Sequence, residues 1–298
     1  MTVPAPAVGR PVAAPARPSS VTPTDVAFIR SLVHESAALV LEPGKEYLVE
    51  SRLAPVARDA GYPSISHMVA ALRGTPYGRT HHAIVQAMTT NETSWFRDRH
   101  PFDALVTTVV PELMARRAAE RRLTIWSAAC STGQEPYSVA MLLLDTFPQL
   151  ASWNLTILAS DLAEDAVAQG RAGRYSQLEV NRGMPADMLV RHFQRDGAHW
   201  VVADGIRRMV RFGVVNLIGP WPEMASPDIV MLRNVMIYFD HATKQRLLGR
   251  IRERMRPDGY LFLGNAETTL NVDDGFVRIE PTRAGLYRLR SAIQGQGT

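Results

Sequence analysis

The stretch RLTIWSAACSTGQEPYS, residues 122–138, decides the fold class. RLTIWSA predicts a short apolar strand, ACSTG with Gly133 predicts a tight turn, and the residues that follow predict a helix that tolerates Pro136 in its first turn. Ligands bind where such a strand ends in a parallel sheet, because loop backbone can approach them and the helix N-terminus presents free N–H groups. The dinucleotide fingerprint GxGxxG is absent, so no pyrophosphate site is indicated. Taken alone, the stretch is equally consistent with an ordinary strand–turn–helix unit.

Strands and helices alternate on the C-terminal side of this stretch. We predict strands in LTILASD (155–161), PDIVMLRN (227–234) and YLFLGN (260–265), and helices in AEDAVAQGRAG (163–173) and HATKQRLLGRIRERM (241–255). This alternation predicts a doubly wound, Rossmann-like α/β domain with a mostly parallel sheet covered on both faces. Residues 174–215 interrupt the pattern, and HWVVA and MVRFGVV within them can pair as a small antiparallel β-subdomain.

The N-terminal third of the chain has a different character. Residues 1–20 are rich in Pro and Ala with no apolar period, which predicts a disordered tail. Residues 21–90 contain a series of amphipathic patterns at helical spacing and predict a small all-helical domain. We therefore expect three parts: the tail, the helical domain, and an α/β domain over residues 91–292 in which 174–215 form the inserted β-subdomain.

Composition excludes several classes of protein. The chain has 298 residues, with 33 Lys and Arg against 29 Asp and Glu, so its basic excess is too small to indicate nucleic acid. No apolar run approaches the roughly 20 residues of a membrane span, and no signal-peptide core is present at the N-terminus. The one cysteine, Cys130, excludes an intrachain disulfide. These features favour a cytoplasmic protein without membrane insertion.

Three further polar segments fall where a ligand would lie. Asp161 ends the second predicted strand, where a carboxylate can accept hydrogen bonds from a ribose, although a helix N-cap explains it as well. NETSWFRD, at the junction of the two domains, offers Asn91, Thr93 and Arg97 to a cleft, or forms a hinge. RNVMIYF follows a buried strand and places polar and aromatic side chains at its carboxyl end.

These segments together closely resemble the CheR family, the S-adenosylmethionine-dependent methyltransferases that methylate glutamate side chains of chemotaxis receptors. The resemblance rests on NETSWFR (91–97), WSAACSTGQEPYSVAM (126–141), ASDLAEDAV (159–167), GRY (173–175), RRMVRFGVVNL (207–217), MLRNVMIYFD (231–240) and RPDGYLFLGNAE (256–267). It extends from about residue 22 to residue 290 and implies S-adenosylmethionine as cofactor, S-adenosylhomocysteine as product, and the cytoplasmic helical domain of a receptor as partner.

The resemblance also implies roles for individual residues. The implied cofactor-binding residues are Asn91, Thr93, Arg97, Glu135, Asp161, Asn216, Leu217, Arg233 and Asn234. Tyr238 matches the tyrosine near the transferred methyl group, and Arg97 is the candidate for orienting the substrate carboxylate. We therefore expect Arg97 and Tyr238 to act on the substrate by orientation.

Two features depart from the family pattern. Residues 21–90 contain six basic and six acidic residues, whereas family members often have a strongly basic second helix that meets acidic receptor helices. Lys45, Arg52 and Arg58 are the basic residues in and beside that helix here. The segment FQRDGAHWVV is also short, which predicts a member that works independently of a receptor's C-terminal pentapeptide.

Other functions are less consistent with the residues. A nucleic-acid methyltransferase lacks support, because no D/N-P-P-Y motif follows the fourth predicted strand. A cofactor-sensing scaffold without transfer activity remains an alternative, although Arg97, Asp161 and Tyr238 together favour an enzyme. Cys130 has no histidine at a catalytic spacing, and the eight histidines show no metal-ligand spacing, so we predict neither a thiol nucleophile nor a metal site. A basic run at helical spacing predicts a solvated face, formed by Arg246, Arg250, Arg252, Arg254 and Arg256.

Overall fold

The computed structural model describes residues 21–280 and 283–294. The predicted tail at residues 1–20 lies outside the described residues. No helix within the described ranges has the length and apolar character to cross a membrane.

An all-helical domain forms the first part of the described chain, as predicted. Its helices are α1 (Pro23–Ala37), α2 (Glu46–Asp59), α3 (Ile65–Leu72) and α4 (Arg79–Met88). A capping box starts α1, since Thr22 Oγ1 accepts the N–H of Asp25 at 3.2 Å while the Asp25 carboxylate accepts the N–H of Thr22 at 3.1 Å. The apolar faces of the helices meet in one core that includes Ile29, Leu53 and Met68.

The second part is an α/β domain. Its strands are β1 (Arg122–Ala128), β2 (Asn154–Asp161), β3 (Arg174–Ser176), β4 (Phe193–Asp196), β5 (His199–Val202), β6 (Val210–Val214), β7 (Ile229–Leu232), β8 (Tyr260–Leu263), β9 (Phe276–Arg278) and β10 (Leu286–Leu289). Its helices are α5 (His100–Ala104), α6 (Val110–Arg116), α7 (Gln134–Thr146), α8 (Glu164–Ala172), α9 (Gln177–Val180), α10 (Ala186–His192), α11 (Asp204–Arg207), α12 (His241–Arg254) and α13 (Arg290–Gln294). A π-helical stretch, Leu105–Val109, joins α5 to α6.

Seven strands form one sheet in the order β6-β2-β1-β7-β8-β10-β9. The first five are parallel, and β10 runs antiparallel to both β8 and β9. The strand that follows β1 in the chain, β2, lies on one side of it, whereas β7 lies on the other. The carboxyl end of β1 is therefore a topological switch point, the usual ligand position in such sheets.

The central strands are recognisable from sequence because both of their faces are buried. In β7, Ile229 and Met231 contact the core on one side of the sheet, whereas Val230 and Leu232 contact the core on the other. Strand β8 divides its side chains between the two cores in the same way. Continuous apolar runs of this kind are typical of parallel strands covered by helices on both faces. The predicted fold class, a mostly parallel sheet with helices behind a helical domain, is confirmed.

One detail of the prediction is wrong. MVRFGVV does not pair with HWVVA, because β6 lies parallel to β2 at the edge of the large sheet. HWVV is β5, and it pairs antiparallel with β3 and β4 in a separate three-stranded sheet. The antiparallel sheet thus ends at Val202, and the large sheet resumes within the segment 174–215. The physical reason is that β6 is an edge strand with several partly exposed side chains, so its sequence pattern resembles that of a small peripheral hairpin.

Several contacts join the helical domain to the α/β domain around one edge of the sheet. The Asn216 side chain donates to the carbonyl oxygen of Ser36 at 2.7 Å, and the N–H of Val40 donates to the carbonyl oxygen of Tyr238 at 2.9 Å. On the other side, Gln86 Nε2 donates to the carbonyl oxygen of Leu162 at 3.1 Å. The end of α1 and the end of α4 therefore lie beside the carboxyl ends of the strands.

Candidate functional site

A cleft lies at this edge of the sheet, between the α/β domain and the ends of α1 and α4. Clefts at the carboxyl ends of parallel strands are a usual place for a site that binds a small organic molecule. Every residue that we predicted for the site lines it: Asn91, Thr93, Arg97, Glu135, Asp161, Asn216, Leu217, Arg233, Asn234 and Tyr238. These residues come from five separate segments of the chain, which the sheet edge and the domain junction bring together.

The loop between β1 and α7 forms the floor of the cleft. Ala129, Ser131 and Gly133 all have positive φ angles, of 68°, 51° and 95°. This left-handed geometry is uncommon for the two residues that carry a side chain, and it folds the loop tightly against the end of β2. A side chain at Gly133 would meet the ring of Phe212 and the hydroxyl of Tyr175, both at 3.0 Å, so glycine is required there by both backbone and space.

Asp161 is the buried carboxylate of the cleft. Its Oδ2 accepts the N–H of Ser131 at 2.7 Å and its Oδ1 accepts the N–H of Ala163 at 2.9 Å. Burial raises the pKa of this carboxyl above its ordinary value, and the backbone N–H donors offset the effect only in part. The backbone N–H of Leu162 also interacts with this carboxylate. A carboxylate has about four lone-pair positions, so Asp161 keeps some capacity to accept a hydrogen bond from a ligand.

Glu135 and Arg233 form an ion pair in the wall of the cleft. Arg233 Nη1 donates to Glu135 Oε2 at 2.7 Å, and Ser127 Oγ donates to Glu135 Oε1 at 2.7 Å. The other end of the guanidinium donates to the carboxylate of Asp98 and to the carbonyl oxygen of Arg97, both at 2.8 Å. Arg233 therefore connects the end of β7 with α7 and with the segment that contains Arg97.

The segment from Asn91 to Arg97 closes the cleft from the domain junction. The Ser131 hydroxyl donates to the carbonyl oxygen of Asn91 at 2.7 Å, which ties this segment to the floor loop. Arg97 Nη1 donates to the carbonyl oxygen of Glu92 at 3.0 Å. The remaining guanidinium donors of Arg97 have no partner within the described residues, and its side chain is partly exposed at the cleft. Arg97 therefore retains hydrogen-bonding capacity for a bound molecule.

Asn216 and Leu217 lie on a loop that is held from behind by α12. Arg250 donates to the carbonyl oxygens of Leu217 at 2.8 Å and Gly219 at 2.7 Å, and its guanidinium lies 3.9 Å from the ring centre of Trp221. The predicted solvated arginine face is therefore wrong for Arg250. This side chain binds carbonyl oxygens of a loop that is distant in sequence. Helical spacing alone does not reveal such acceptors.

Comparison with known proteins identifies the family. Residues 24–89 match "CheR methyltransferase, all-alpha domain", and residues 91–284 match "CheR methyltransferase, SAM binding domain". This chain belongs to the CheR methyltransferase family. Chemotaxis protein methyltransferase 1 of Pseudomonas aeruginosa is 37% identical over 271 residues, which span 89% of this chain and 98% of that protein. The chemotaxis protein methyltransferases of Pseudomonas putida (Cher2) and Escherichia coli are 35% and 34% identical, over 89% and 83% of this chain and 98% and 85% of their own.

Membership of the CheR family makes the chain an S-adenosylmethionine-dependent methyltransferase of the chemotaxis type, and S-adenosylmethionine is its cofactor. The cleft fits that molecule on three observations. It lies at the carboxyl ends of the parallel strands, its buried Asp161 carboxylate retains acceptor capacity, and it combines apolar lining with polar groups. No cluster of His, Cys, Asp or Glu suited to a metal ion occurs among the described residues.

The thiol of Cys130 lines the same cleft in this CheR-family protein. It is 2% exposed, and burial raises its pKa well above the ordinary value, with the carboxylates of Asp161 and Glu135 acting in the same direction. A thiol that remains protonated is a poor nucleophile. The burial and the raised pKa therefore disfavour a nucleophilic role for Cys130.

Sequence reasoning did not find the part of the cleft that the helical domain supplies. Ala37 and Leu39, at the end of α1, and Thr89 and Thr90, at the end of α4, also line the cleft. Small apolar side chains and threonines are too common to indicate a site. Thr89 and Thr90 have position as a sequence signal, since they precede the predicted domain junction, whereas Ala37 and Leu39 lie far from it in sequence and have none.

Proposed function

We propose that this chain transfers the methyl group of S-adenosylmethionine to glutamate side chains of chemotaxis receptors, giving glutamate methyl esters in bacterial chemotactic adaptation. The observation that carries this proposal is the convergence of all the predicted residues, including Arg97 and Tyr238, on one cleft. The relatives named chemotaxis protein methyltransferases, which match most of the chain, support it. We further propose that the reaction takes place in the cytoplasm, for which a chain with one cysteine is suited.

The cofactor-binding roles follow from chemistry and position. We assign the ribose hydroxyls to Asp161, because a buried carboxylate at the end of the second parallel strand is the usual acceptor for them. Asn216 and Leu217 are assigned to the adenine side, and Asn91, Thr93, Glu135 and Asn234 to the remaining polar groups. Arg233 acts through its bonds to Glu135 and Asp98, which fix the wall of the cleft.

The reaction requires alignment more than proton transfer. A glutamate side chain has an ordinary pKa of about 4.3 and is ionised at neutral pH, so it needs no general base. Bound S-adenosylmethionine supplies an electrophilic methyl on a positively charged sulfur. Positioning of this kind supplies roughly 7–11 kcal/mol when the reacting atoms are well aligned. The protein's task is therefore to orient the carboxylate and to exclude water.

We assign the orienting task to Arg97 and Tyr238. Arg97 has guanidinium donors left over for a carboxylate, and the Tyr238 hydroxyl makes no hydrogen bond to any described residue. A very strong pairing of Arg97 with the carboxylate would stabilise the substrate more than the transition state and would slow transfer. Orientation by weak, directional contacts is consistent with both side chains.

We also propose that the chain methylates receptors without a C-terminal pentapeptide. In the small antiparallel sheet, only Gly197 and Ala198 connect β4 to β5, and Gly197 has a φ of 58° that suits a tight turn. A connection this short has no extended loop beyond the strands with which a peptide could pair. The expected result is equal methylation of a receptor with and without its last five residues. Loss of methylation on truncation would reject this part of the proposal.

The direct test of the function is a transfer assay. The protein is incubated with methyl-labelled S-adenosylmethionine and a purified receptor cytoplasmic domain, and a parallel receptor variant carries alanine at the methylatable glutamates. We expect base-labile label on the first receptor and none on the second, since methyl esters hydrolyse in base. Base-stable label would indicate a different acceptor atom, and label on added nucleic acid would favour the alternative substrate class.

A further inference from the structure

The carboxylate of Glu267 lies directly behind the cleft and accepts four backbone N–H groups. The donors are Asn234 at 2.8 Å, Val235 at 2.9 Å, Met236 at 2.7 Å and Gly264 at 2.7 Å. Glu267 is only 9% exposed, and it is not among the residues that line the cleft. A carboxylate has about four lone-pair positions, so these donors use its whole accepting capacity.

The backbone that Glu267 binds is the one that leads from β7 to Tyr238. Strand β7 ends at Leu232, and Asn234 then adopts a φ of 58°, which reverses the course of the chain. As a result the N–H groups of three consecutive residues, 234–236, converge on one anion, the geometry of an anion-binding nest. The 3₁₀ turn Met236–Tyr238 begins immediately afterwards. Because Asn234, Val235 and Tyr238 all line the cleft, the position of this segment sets the shape of the site.

We propose that Glu267 is a positioning residue for methyl transfer, whose carboxylate fixes the segment 234–238 in the conformation that the cofactor and the substrate require. The nest needs a full negative charge with unoccupied lone pairs on both oxygens. Glu267 acts through the backbone of this segment and does not itself contact the reacting atoms. The part of the proposal that concerns turnover rests on the function proposed above for Tyr238.

Glu267→Gln tests the proposal with almost no change in side-chain volume. The glutamine amide oxygen can accept about two hydrogen bonds. The NH₂ group is itself a donor and cannot accept the remaining backbone N–H groups, which lose their partner. Segment 234–238 should therefore relax out of position. We expect the affinity for S-adenosylhomocysteine, measured by calorimetry, to fall about tenfold or more, since a hydrogen bond to a charged group is lost. Turnover in the transfer assay should fall about 100-fold, the effect of a small misplacement of reacting groups.

Asp228→Asn provides a matched control for stability. Asp228 is a buried carboxylate directly before the same strand, β7, but at the opposite edge of the sheet, where it accepts the N–H of Thr124 at 2.8 Å and Arg117 Nε at 2.8 Å. Both variants should lower the melting temperature. At a temperature where both variants are folded, the Asp228 variant should bind S-adenosylhomocysteine and turn over like the wild type. The Glu267 variant should bind it more weakly and turn over more slowly. Equal behaviour of the two variants would show that Glu267 is merely structural.

Gly264→Ala gives a second route to the same segment. A Cβ at Gly264 would lie 2.7 Å from both Glu267 Oε2 and Asn234 Nδ2, so it disturbs the carboxylate and the segment together while the charge remains. The same loss of affinity is expected. Glu267→Asp keeps the charge, shortens the side chain by a methylene and adds no new contact with Asn234, so this variant decides the matter if the glutamine variant does not fold. Wild-type affinity in the variants that fold would overturn the proposal. Calorimetry measures cofactor-product binding and needs no receptor. If the protein methylates no receptor, the proposed function is wrong, but the effect of Glu267 on S-adenosylhomocysteine affinity can still be measured.

Discussion

The guanidinium of Arg233 and the carboxylate of Glu135 lie 2.7 Å apart, and their side chains are 2% and 13% exposed. This pair joins the end of β7 to the first turn of α7, in the wall of the cleft. A charge this deeply buried is stable only while its partners remain, because desolvation is no longer compensated once one of them is removed.

The first prediction follows from that pair. Arg233→Ala leaves the carboxylates of Glu135 and Asp98 without their shared cation and should lower the free energy of unfolding by about 3–5 kcal/mol. Urea denaturation without ligand measures this. Arg278→Ala, which removes an exposed ion pair with Glu280, is the control and should have a much smaller effect. A small effect at Arg233 would mean that the pair contributes little to holding the cleft.

The second prediction concerns the pH dependence of cofactor binding. Burial raises the pKa of Asp161 in the ligand-free protein, and a ribose that donates hydrogen bonds to the ionised carboxylate would lower it again. The ligand then prefers the ionised form, so affinity should be constant well above the raised pKa and should fall as pH drops through it. Calorimetry with S-adenosylhomocysteine from neutral pH downward, over the range in which the protein stays folded, measures this fall, which should begin above the ordinary Asp pKa of about 3.9.

Asp161→Asn is the control for that experiment. Its amide accepts the backbone N–H of Ser131 or of Ala163 but carries no titrating charge. We expect weaker binding at neutral pH, by a factor that reflects the roughly 1.5–3 kcal/mol of a charge-assisted hydrogen bond, and a flatter pH profile. Wild-type affinity in this variant would reject the ribose role of Asp161.

The sequence predicts those parts of the molecule whose pattern is local, and not those that depend on contacts between distant segments. Strands β1, β2, β7 and β8 are predictable because each is an apolar run buried on both faces, and their polar ends then fall at one sheet edge. Strand β6 was misassigned because an edge strand is only half-covered. The roles of Glu267 and Arg250 were not predictable, since both side chains bind backbone groups of loops that are distant in sequence.

The domain junction illustrates the same limit. Asn91, Thr93 and Arg97 were predicted from a motif whose polar groups suggest a cleft. The contribution of the helical domain was not, because Ala37 and Leu39 have ordinary side chains and approach the cleft only through tertiary packing. Contacts such as the hydrogen bond from Asn216 to the carbonyl oxygen of Ser36 hold the two domains together there. Neither residue type predicts this contact from the sequence.

The third prediction separates the two residues assigned to substrate orientation. Arg97→Ala removes a guanidinium proposed to contact both cofactor and substrate, so it should lower affinity as well as turnover. Tyr238→Phe removes only a hydroxyl and should lower turnover while the Michaelis constants change little. Steady-state kinetics with both substrates measures each effect. A Tyr238 variant that turns over at the wild-type rate would remove the orienting role of that hydroxyl.

The last prediction concerns how the helical domain meets a receptor. We expect basic residues of α2 and its N-cap to face an acidic receptor helix, although the domain is neutral overall. The structure separates these residues into two kinds. Arg52 donates to the carbonyl oxygens of Met88 at 2.9 Å and Thr89 at 2.8 Å, so it caps α4 and supports the segment that enters the cleft. Lys45 and Arg58 are 49% and 76% exposed, and among the described residues their ion pairs are with the exposed neighbours Glu42 and Asp59.

Lys45→Glu combined with Arg58→Glu should therefore raise the Michaelis constant for receptor and leave cofactor affinity and saturated turnover nearly unchanged. Exposed charges act mainly on encounter and are screened by salt, so the defect should shrink as ionic strength rises. Arg52→Glu should behave differently: it should weaken S-adenosylhomocysteine binding at every salt concentration, because the end of α4 loses its cap and Thr89 and Thr90 line the cleft. If the double variant methylates receptor like the wild type at low salt, the receptor is recognised elsewhere, and residues 174–215 become the surface to test.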